Sequence, residues 1–225
     1  MASPITFVFF ADDDTVEMYE DNYARLKRHW PKIRNRKMLL VCDARQESDP
    51  DYWREKFFFL DELPKLAMWD WSSVCKQEPT LSEKISLSTM SVCGFACPTP
   101  YYCAIHPKLQ TVRAVDFPPE HAIDPNDPPM FICNRTDVGI GDADFQRLEE
   151  WSEDTVGFNE HPLVDKSLVK AWDCAIVFSR FARILSIVTK NKPPVGRTDL
   201  FMYYAAIRRG ERIVRLDSAD MGIVE

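Results

Sequence analysis

Residues 5–10 read ITFVFF, an apolar run in which Thr6 is the only polar residue. No polar position alternates through it, so neither face of such a strand can be left to water. A strand of this kind is covered on both sides, as the strands of parallel sheets are. Residues 37–42, KMLLVC, repeat the pattern. Between the two runs Val16, Tyr19, Tyr23, Leu26 and Trp30 recur at helical spacing over residues 15–29, and Pro31 stops the helix. Parallel strands need a crossover connection, so the chain opens as a βαβ unit.

The same reading continues along the chain. Asp49 and Pro50 start a helix through Tyr52, Trp53, Phe57 and Leu60. Residues 66–71 make a short third strand and 82–92 a helix, which Pro98 and Pro100 stop. Residues 101–105 and 111–117 are a fourth and a fifth strand, and the Pro- and Asp-rich stretch 118–129 is a loop. A short strand at 130–133 precedes a helix at 142–155, with Asp142 or Asp144 as its N-cap. Residues 172–178 form a strand, 181–189 a helix, 199–209 a helix closed by Gly210, and 213–216 a last strand. The pattern predicts one α/β domain over residues 1–225, with the 118–129 loop as a seam inside it.

Composition bounds the function. With 225 residues, 45% of them hydrophobic, the chain can build a sizeable core. A formal net charge of -7 argues against broad, non-specific nucleic-acid binding, which rests on neutralising phosphates. The basic cluster Lys27, Arg28, Lys32, Arg34, Arg36 and Lys37 reads as a solvated helix C-terminus, where cations suit the dipole. No apolar run approaches the roughly 20 residues needed to span a bilayer. Met1-Ala2-Ser3-Pro4 lacks a basic leader region, so the expectation is a cytoplasmic protein, in the host cytoplasm if it is viral, with no membrane partner. Seven cysteines, an odd number, then read as free thiols in a reducing compartment.

Three stretches carry chemistry. The first is Glu83-Lys84 in a helix, followed by the strand Thr99-Pro100-Tyr101-Tyr102-Cys103-Ala104-Ile105. The second is Asn134-Arg135 after a short strand, with a helix carrying Leu148, Glu149 and Trp151. The third is Arg197-Thr198-Asp199-Leu200-Phe201-Met202-Tyr203-Tyr204, running on to Arg208, Arg209 and Gly210. In order and spacing they resemble the nucleotide-sugar glycosyltransferases of bacterial and phage type that have the GT-A fold. The resemblance implies a GT-A-like (Rossmann-like) single domain with a mixed, mostly parallel sheet and helices on both faces. It implies a nucleotide-sugar donor as partner. It places Asp12, Asp13, Asp14 and Arg45 along the nucleotide and Lys84, His106 and Lys108 near the diphosphate. Asp199 falls on the acceptor side as general base. The likeness to phage proteins makes a hydroxymethylated base in DNA one candidate acceptor, beside a saccharide or a small molecule.

The departures from that family are as informative. Its Asp-x-Asp motif, which holds a divalent metal against the diphosphate, falls here on His106-Pro107-Lys108. Its C-terminal His has no counterpart in Asp220-Met221-Gly222-Ile223-Val224-Glu225. No metal site is therefore expected. Cations can stabilise a leaving diphosphate directly, and Lys108 with Arg113, Arg208 or Arg209 would form such a wall. The alternative is a domain that binds without catalysing.

Several other readings stand beside these. Asp12-Asp13-Asp14-Thr15-Val16 after a buried strand also looks like the nucleophile motif of haloacid-dehalogenase-type phosphatases, for which Gly141-Asp142-Ala143-Asp144 would supply a poor second acidic pair. Cys93, Cys97, Cys103 and His106 have a spacing that could hold zinc, against the plainer reading of core thiols. Asp199 can be an ordinary helix-start residue, and Trp172 either packs in the core or stacks on a sugar. Trp53, Trp69 and Trp71 read as core or interface. Phe57, Phe58 and Phe59 offer an aromatic surface for a homodimer.

Overall fold

The computed structural model describes residues 4–75, 80–111, 116–216 and 221–223. Among these described residues the elements are β1 (Ile5–Ala11), α1 (Val16–His29), β2 (Lys37–Asp43), α2 (Pro50–Lys56), β3 (Lys65–Trp69), α3 (Leu81–Ser91), α4 (Cys93–Ala96), β4 (Tyr101–Ala104), β5 (Leu109–Thr111), β6 (Phe131–Gly139), α5 (Asp142–Glu153), β7 (Lys170–Phe178), α6 (Ser179–Thr189), α7 (Thr198–Arg208), β8 (Ile213–Leu216) and β9 (Met221–Ile223). Seven strands form one sheet in the order β3-β2-β1-β4-β7-β6-β8, and β5 pairs with β9 in a small separate ribbon. The pairs β1/β2, β2/β3, β1/β4 and β6/β8 are parallel. Only β7 runs against its neighbours β4 and β6. The sheet is thus mixed and mostly parallel, as the opening apolar runs require.

Strand β1 shows why its sequence cannot alternate. Val8 and Phe10 enter the core on one face, with α3 to α7. Phe7, Phe9 and Ala11 enter the other, against α1 and α2. All seven residues of β1 are buried. Helix α1 contributes Tyr19, Tyr23 and Leu26, one face of the helix, to that second core. Tyr19 and Tyr23 meet Phe9 edge-on, with ring centroids 5.3 and 5.9 Å away.

Helix α3 begins with a capping box that the sequence reading did not use. The Thr80 hydroxyl accepts from the Glu83 N–H, and the Glu83 carboxylate accepts from the Thr80 N–H. This fixes the start of the helix that carries Lys84. After α7, Gly210 takes a φ of +65°, the left-handed position a glycine stop occupies.

Some expectations are corrected. The helix from Asp49 ends at Lys56, and Phe57 packs in the core rather than on a surface; of the three phenylalanines there only Phe58 is broadly exposed. The strand expected at 130–133 continues to Gly139, with irregular register beyond Asn134. The N-cap of α5 is Gly141, with Asp142 and Asp144 in its first turn. The fifth strand lies earlier than expected; residues 112–115 fall outside the described set, and with them Arg113. Among the described residues no helix is long and apolar enough to cross a membrane.

Candidate active site

A cavity of about 460 Å³ opens over the carboxyl end of β4. Because β7 is antiparallel to β4, the start of β7 lies beside that end, and Ala104, Ala171 and Ala175 form a low floor. Helix α3 walls it with Ile85 and Thr89, β6 with Thr136 and Val138, and the first turn of α7 with Thr198, Asp199 and Met202. His106 and Lys108, which follow β4, line the same space, as do Trp172 and Arg197. Residues more than ninety positions apart in sequence, His106 and Asp199 among them, therefore share one cavity.

The His106-Pro107-Lys108 turn is held from α1. The Tyr19 hydroxyl donates to the Ile105 carbonyl at 2.6 Å, and Asn22 Nδ2 donates to the Pro107 carbonyl at 3.1 Å. Tyr19 and Asn22, three apart on one helix face, are positioning residues that the sequence reading treated only as core or not at all. Within the turn the Lys108 N–H donates to His106 Nδ1 at 3.1 Å. Nδ1 is thus an acceptor, which assigns the ring proton to Nε2. Burial, followed by the nearby Lys108 ammonium, pushes the His106 imidazole down to about 4. At neutral pH the ring is an uncharged donor rather than a cation.

Asp199 sits in the first turn of α7, its side chain mostly covered. Arg197 grips both of its oxygens, Nε to Oδ1 at 2.8 Å and Nη2 to Oδ2 at 2.6 Å. Each oxygen keeps a second lone pair. Trp172 combines the two roles read for it: its ring packs on Phe131, with centroids 5.1 Å apart, while its exposed part lines the cavity.

A second group of charges lies at the carboxyl ends of β1 and β2. Lys84 reaches out of α3 and places its ammonium 2.9 Å from Asp43 Oδ2 and 3.4 Å from Asp12 Oδ2. All three side chains are buried. Asp43 Oδ1 accepts the Arg45 N–H at 3.1 Å, with the Arg45 Nε 3.6 Å away. Burial raises the Asp12 carboxyl, and Lys84 pulls it partly back. Asp12 Oδ1 has no hydrogen-bond partner. Asp13 and Asp14 are exposed; Asp13 accepts from the Tyr52 hydroxyl at 2.8 Å and donates its N–H to Gln46 at 3.0 Å, which ties the β1 loop to the segment after β2. Asp12, Asp43 and Lys84 do not line the cavity, so Lys84 acts on these aspartates rather than in the space beside His106. Asp43 was read from sequence only as the end of a strand.

Arg208 and Arg209 are elsewhere. Nine residues along α7 separate Arg208 from Asp199, about 14 Å of helix. Arg208 is buried and donates to the Phe158 carbonyl at 3.1 Å, while Arg209 pairs with Glu211 at 3.0 Å. The cationic wall expected from them is not built. The basic cluster after α1 is also partly neutralised: Lys27 pairs with Asp61, Lys32 with Asp116 and Arg36 with Glu120.

The zinc and phosphatase arrangements are not assembled. Cys93 belongs to one core and Cys103 to the other, across the sheet, where Cys103 lies 3.7 Å from Cys174. The seven cysteines are thiols rather than disulfides. Asp142 and Asp144 follow β6, three strands from β1 and so roughly 14 Å away at the least, where they face Lys166 and Arg147.

No protein-family model matches the sequence, and no curated protein is significantly similar to it. Solved structures do match. The galactosyltransferase LgtC, solved with donor and acceptor sugar analogues, superposes with a TM-score of 0.59 over 95% of this chain and 73% of its own, at 8% identity. Mouse xyloside xylosyltransferase 1 covers 95% of this chain and 84% of its own, with a TM-score of 0.50 and 10% identity. Core-mannan synthase A of Aspergillus fumigatus, in an Mn/GDP form, covers 93% and 70%, with a TM-score of 0.55 and 13% identity. The fold is GT-A-like. The family that the sequence resembles holds a divalent ion with two carboxylates after this strand; among the described residues, His106 and Lys108 at those positions supply no such pair. His106 and Asp199 are the ligand-type side chains on the cavity wall, Lys108 lines the same wall, and Arg197 engages both oxygens of Asp199. Among the described residues no three His, Cys, Asp or Glu side chains are placed to hold an ion.

Proposed function

We propose that the protein transfers a glycosyl group from a nucleotide-sugar donor to an acceptor hydroxyl, without a bound metal. The observation that carries this reading is the convergence of His106, Lys108 and Asp199 on one cavity at the strand ends of a GT-A-like sheet. The fold neighbours that include a galactosyltransferase and a xylosyltransferase support the class of reaction. In transfer, the acceptor oxygen forms a bond to the anomeric carbon as that carbon's bond to the diphosphate breaks. The nucleoside diphosphate leaves with the electron pair, and the hydroxyl proton passes to Asp199.

Each group has a task in this scheme. Lys108 offsets charge that grows on the leaving oxygen, and neutral His106 donates a hydrogen bond without competing for the proton. Asp13 and Asp14 border the nucleotide beside Arg45, while Lys84 fixes Asp12 and Asp43 beneath them. Arg197 orients the Asp199 carboxylate. Trp172 offers an apolar face to a sugar ring.

Calorimetry with a panel of UDP- and GDP-sugars, followed by an assay for released nucleoside diphosphate, tests the reading. The acceptor arms are water, saccharides and hydroxymethylated DNA. Turnover unchanged by EDTA is the expected result; turnover abolished by EDTA and restored by manganese contradicts the metal-free scheme. A non-catalytic binding role is favoured by one observation, that Arg197 already engages both oxygens of Asp199. Donor binding with no release under any acceptor arm would establish that role instead.

A further inference from the structure

We infer that the N-terminus of α7 is the oxyanion site of this cavity, binding a phosphate oxygen of the donor's diphosphate through the Thr198 hydroxyl and the first backbone N–H groups, with Lys108 as the companion cation. The inference rests on the donor reading above and adds residues that neither the motif nor the fold assigns.

Two independent observations meet here. The first is the helix end. Helix α7 is eleven residues long, and its N-cap, Arg197, provides no side-chain cap. The first bond of the helix ladder runs from the Phe201 N–H to the Arg197 carbonyl, so the N–H groups of Thr198, Asp199 and Leu200 precede the ladder. A helix start of this kind binds anions through those N–H groups and the positive end of its dipole. The second is Thr198 itself. It is 1% exposed, it lines the cavity, and its hydroxyl oxygen has no hydrogen-bond partner. A buried hydroxyl left unpaired is unfavourable, and an acceptor arriving in the cavity relieves it.

The electrostatics around this point favour an anion despite the neighbouring carboxylate. Both oxygens of Asp199 are already covered by the Arg197 guanidinium. His106 accepts at Nδ1 from Lys108 and so presents Nε2–H as a donor. Donors therefore outnumber free acceptors along the part of the wall formed by His106, Lys108 and Thr198. A phosphate oxygen can accept from several donors at once, which a single sugar hydroxyl cannot.

The test uses the full chain and inorganic pyrophosphate as probe, with affinity read by calorimetry. Thr198→Val removes only the hydroxyl and should weaken binding by about tenfold or more, the effect of one hydrogen bond to a charged group. Thr198→Ser should stay within about threefold of wild type, and it guards against reading a folding defect as a binding one. Lys108→Gln, at an exposed position, should weaken binding and flatten its dependence on salt. Nucleoside diphosphate should compete with pyrophosphate, and simultaneous binding of the two would overturn the donor assignment. No pyrophosphate binding by wild type, or equal affinity in Thr198→Val, overturns the site. The two readings fail separately. Donor turnover with pyrophosphate affinity indifferent to Thr198 removes this inference alone, whereas Thr198-dependent pyrophosphate binding without any nucleotide-sugar binding removes the donor reading and leaves a phosphate site.

Discussion

The Lys84 ammonium lies 2.9 Å from Asp43 Oδ2, and both side chains are almost wholly excluded from solvent. With Asp12 on its other side, Lys84 is the shared counter-ion of two buried carboxylates. Lys84→Met leaves Asp12 without its cation and Asp43 with Arg45 alone, and should destabilise the fold by about 3–5 kcal/mol, the usual effect of removing one partner of a buried pair.

The pH dependence of that deficit follows from Asp12. Its folded carboxyl is raised above the ordinary value of 3.8 by burial. A raised carboxyl contributes stability that is fully present below the unfolded value and is lost as pH rises through the folded one. Removing Lys84 raises Asp12 further. The variant should therefore lie closest to wild type near pH 4 and furthest from it near pH 7, as measured by urea unfolding at the two pH values. A deficit of equal size at both would refute the shared counter-ion.

His106 gives a second pH signature, of opposite sense. Its imidazole is pushed down to about 4, by burial first and by Lys108 second. A depressed folded value means stability present above the unfolded value of 6.5 and lost as pH falls towards 4. The ring's NMR titration should have its midpoint near 4, with the proton on Nε2 throughout the neutral range. Lys108→Ala should move the midpoint up only modestly, because burial remains. A wild-type midpoint near 6.5 would show that the ring is open to water.

Strand existence was legible because buried parallel strands write unbroken apolar runs. The partners of a site were legible only where a motif lay in one segment. His106, Lys108 and Asp199 were named from local resemblance, yet nothing local said that β7 would run antiparallel and so bring its start beside β4. The clamp of Tyr19 and Asn22 on the 105–107 backbone was invisible for the same reason, since it uses hydroxyl and amide groups that also suit an ordinary helix. Arg208 and Arg209 were misread because charge was taken as exposure. Arg208 lies on the inner face of α7, where its guanidinium serves the Phe158 carbonyl. Asp43 carried no signal beyond ending a strand; its role appears only once Lys84 arrives from α3.

Gly94 tests the packing of α4 against α6. A Cβ at this position would stand 2.8 Å from the Arg183 backbone nitrogen, where α4 crosses α6. Backbone cannot move aside as a flexible side chain can. Gly94→Ala should cost about 1–3 kcal/mol, an overpacking effect. For a chain of this size that is a fall in melting temperature of roughly 3 °C for each kcal/mol. A melt indistinguishable from wild type would show that the two helices separate freely.

Asp199→Asn separates the catalytic reading from the structural one. The Arg197–Asp199 pair is part exposed, with side-chain exposures of 52% and 16%, so its loss should change stability by less than about 1 kcal/mol. An amide cannot take the acceptor's proton, so turnover should fall by about a hundredfold or more, while donor affinity stays within about threefold. Arg197→Gln should give a different pattern: the base survives but loses its orientation, so kcat falls by less and part of it returns in Arg197→Lys. Nucleoside diphosphate release under saturating donor measures both. If Asp199→Asn turns over at the wild-type rate, the carboxylate only begins a helix, and the proton must leave by another route.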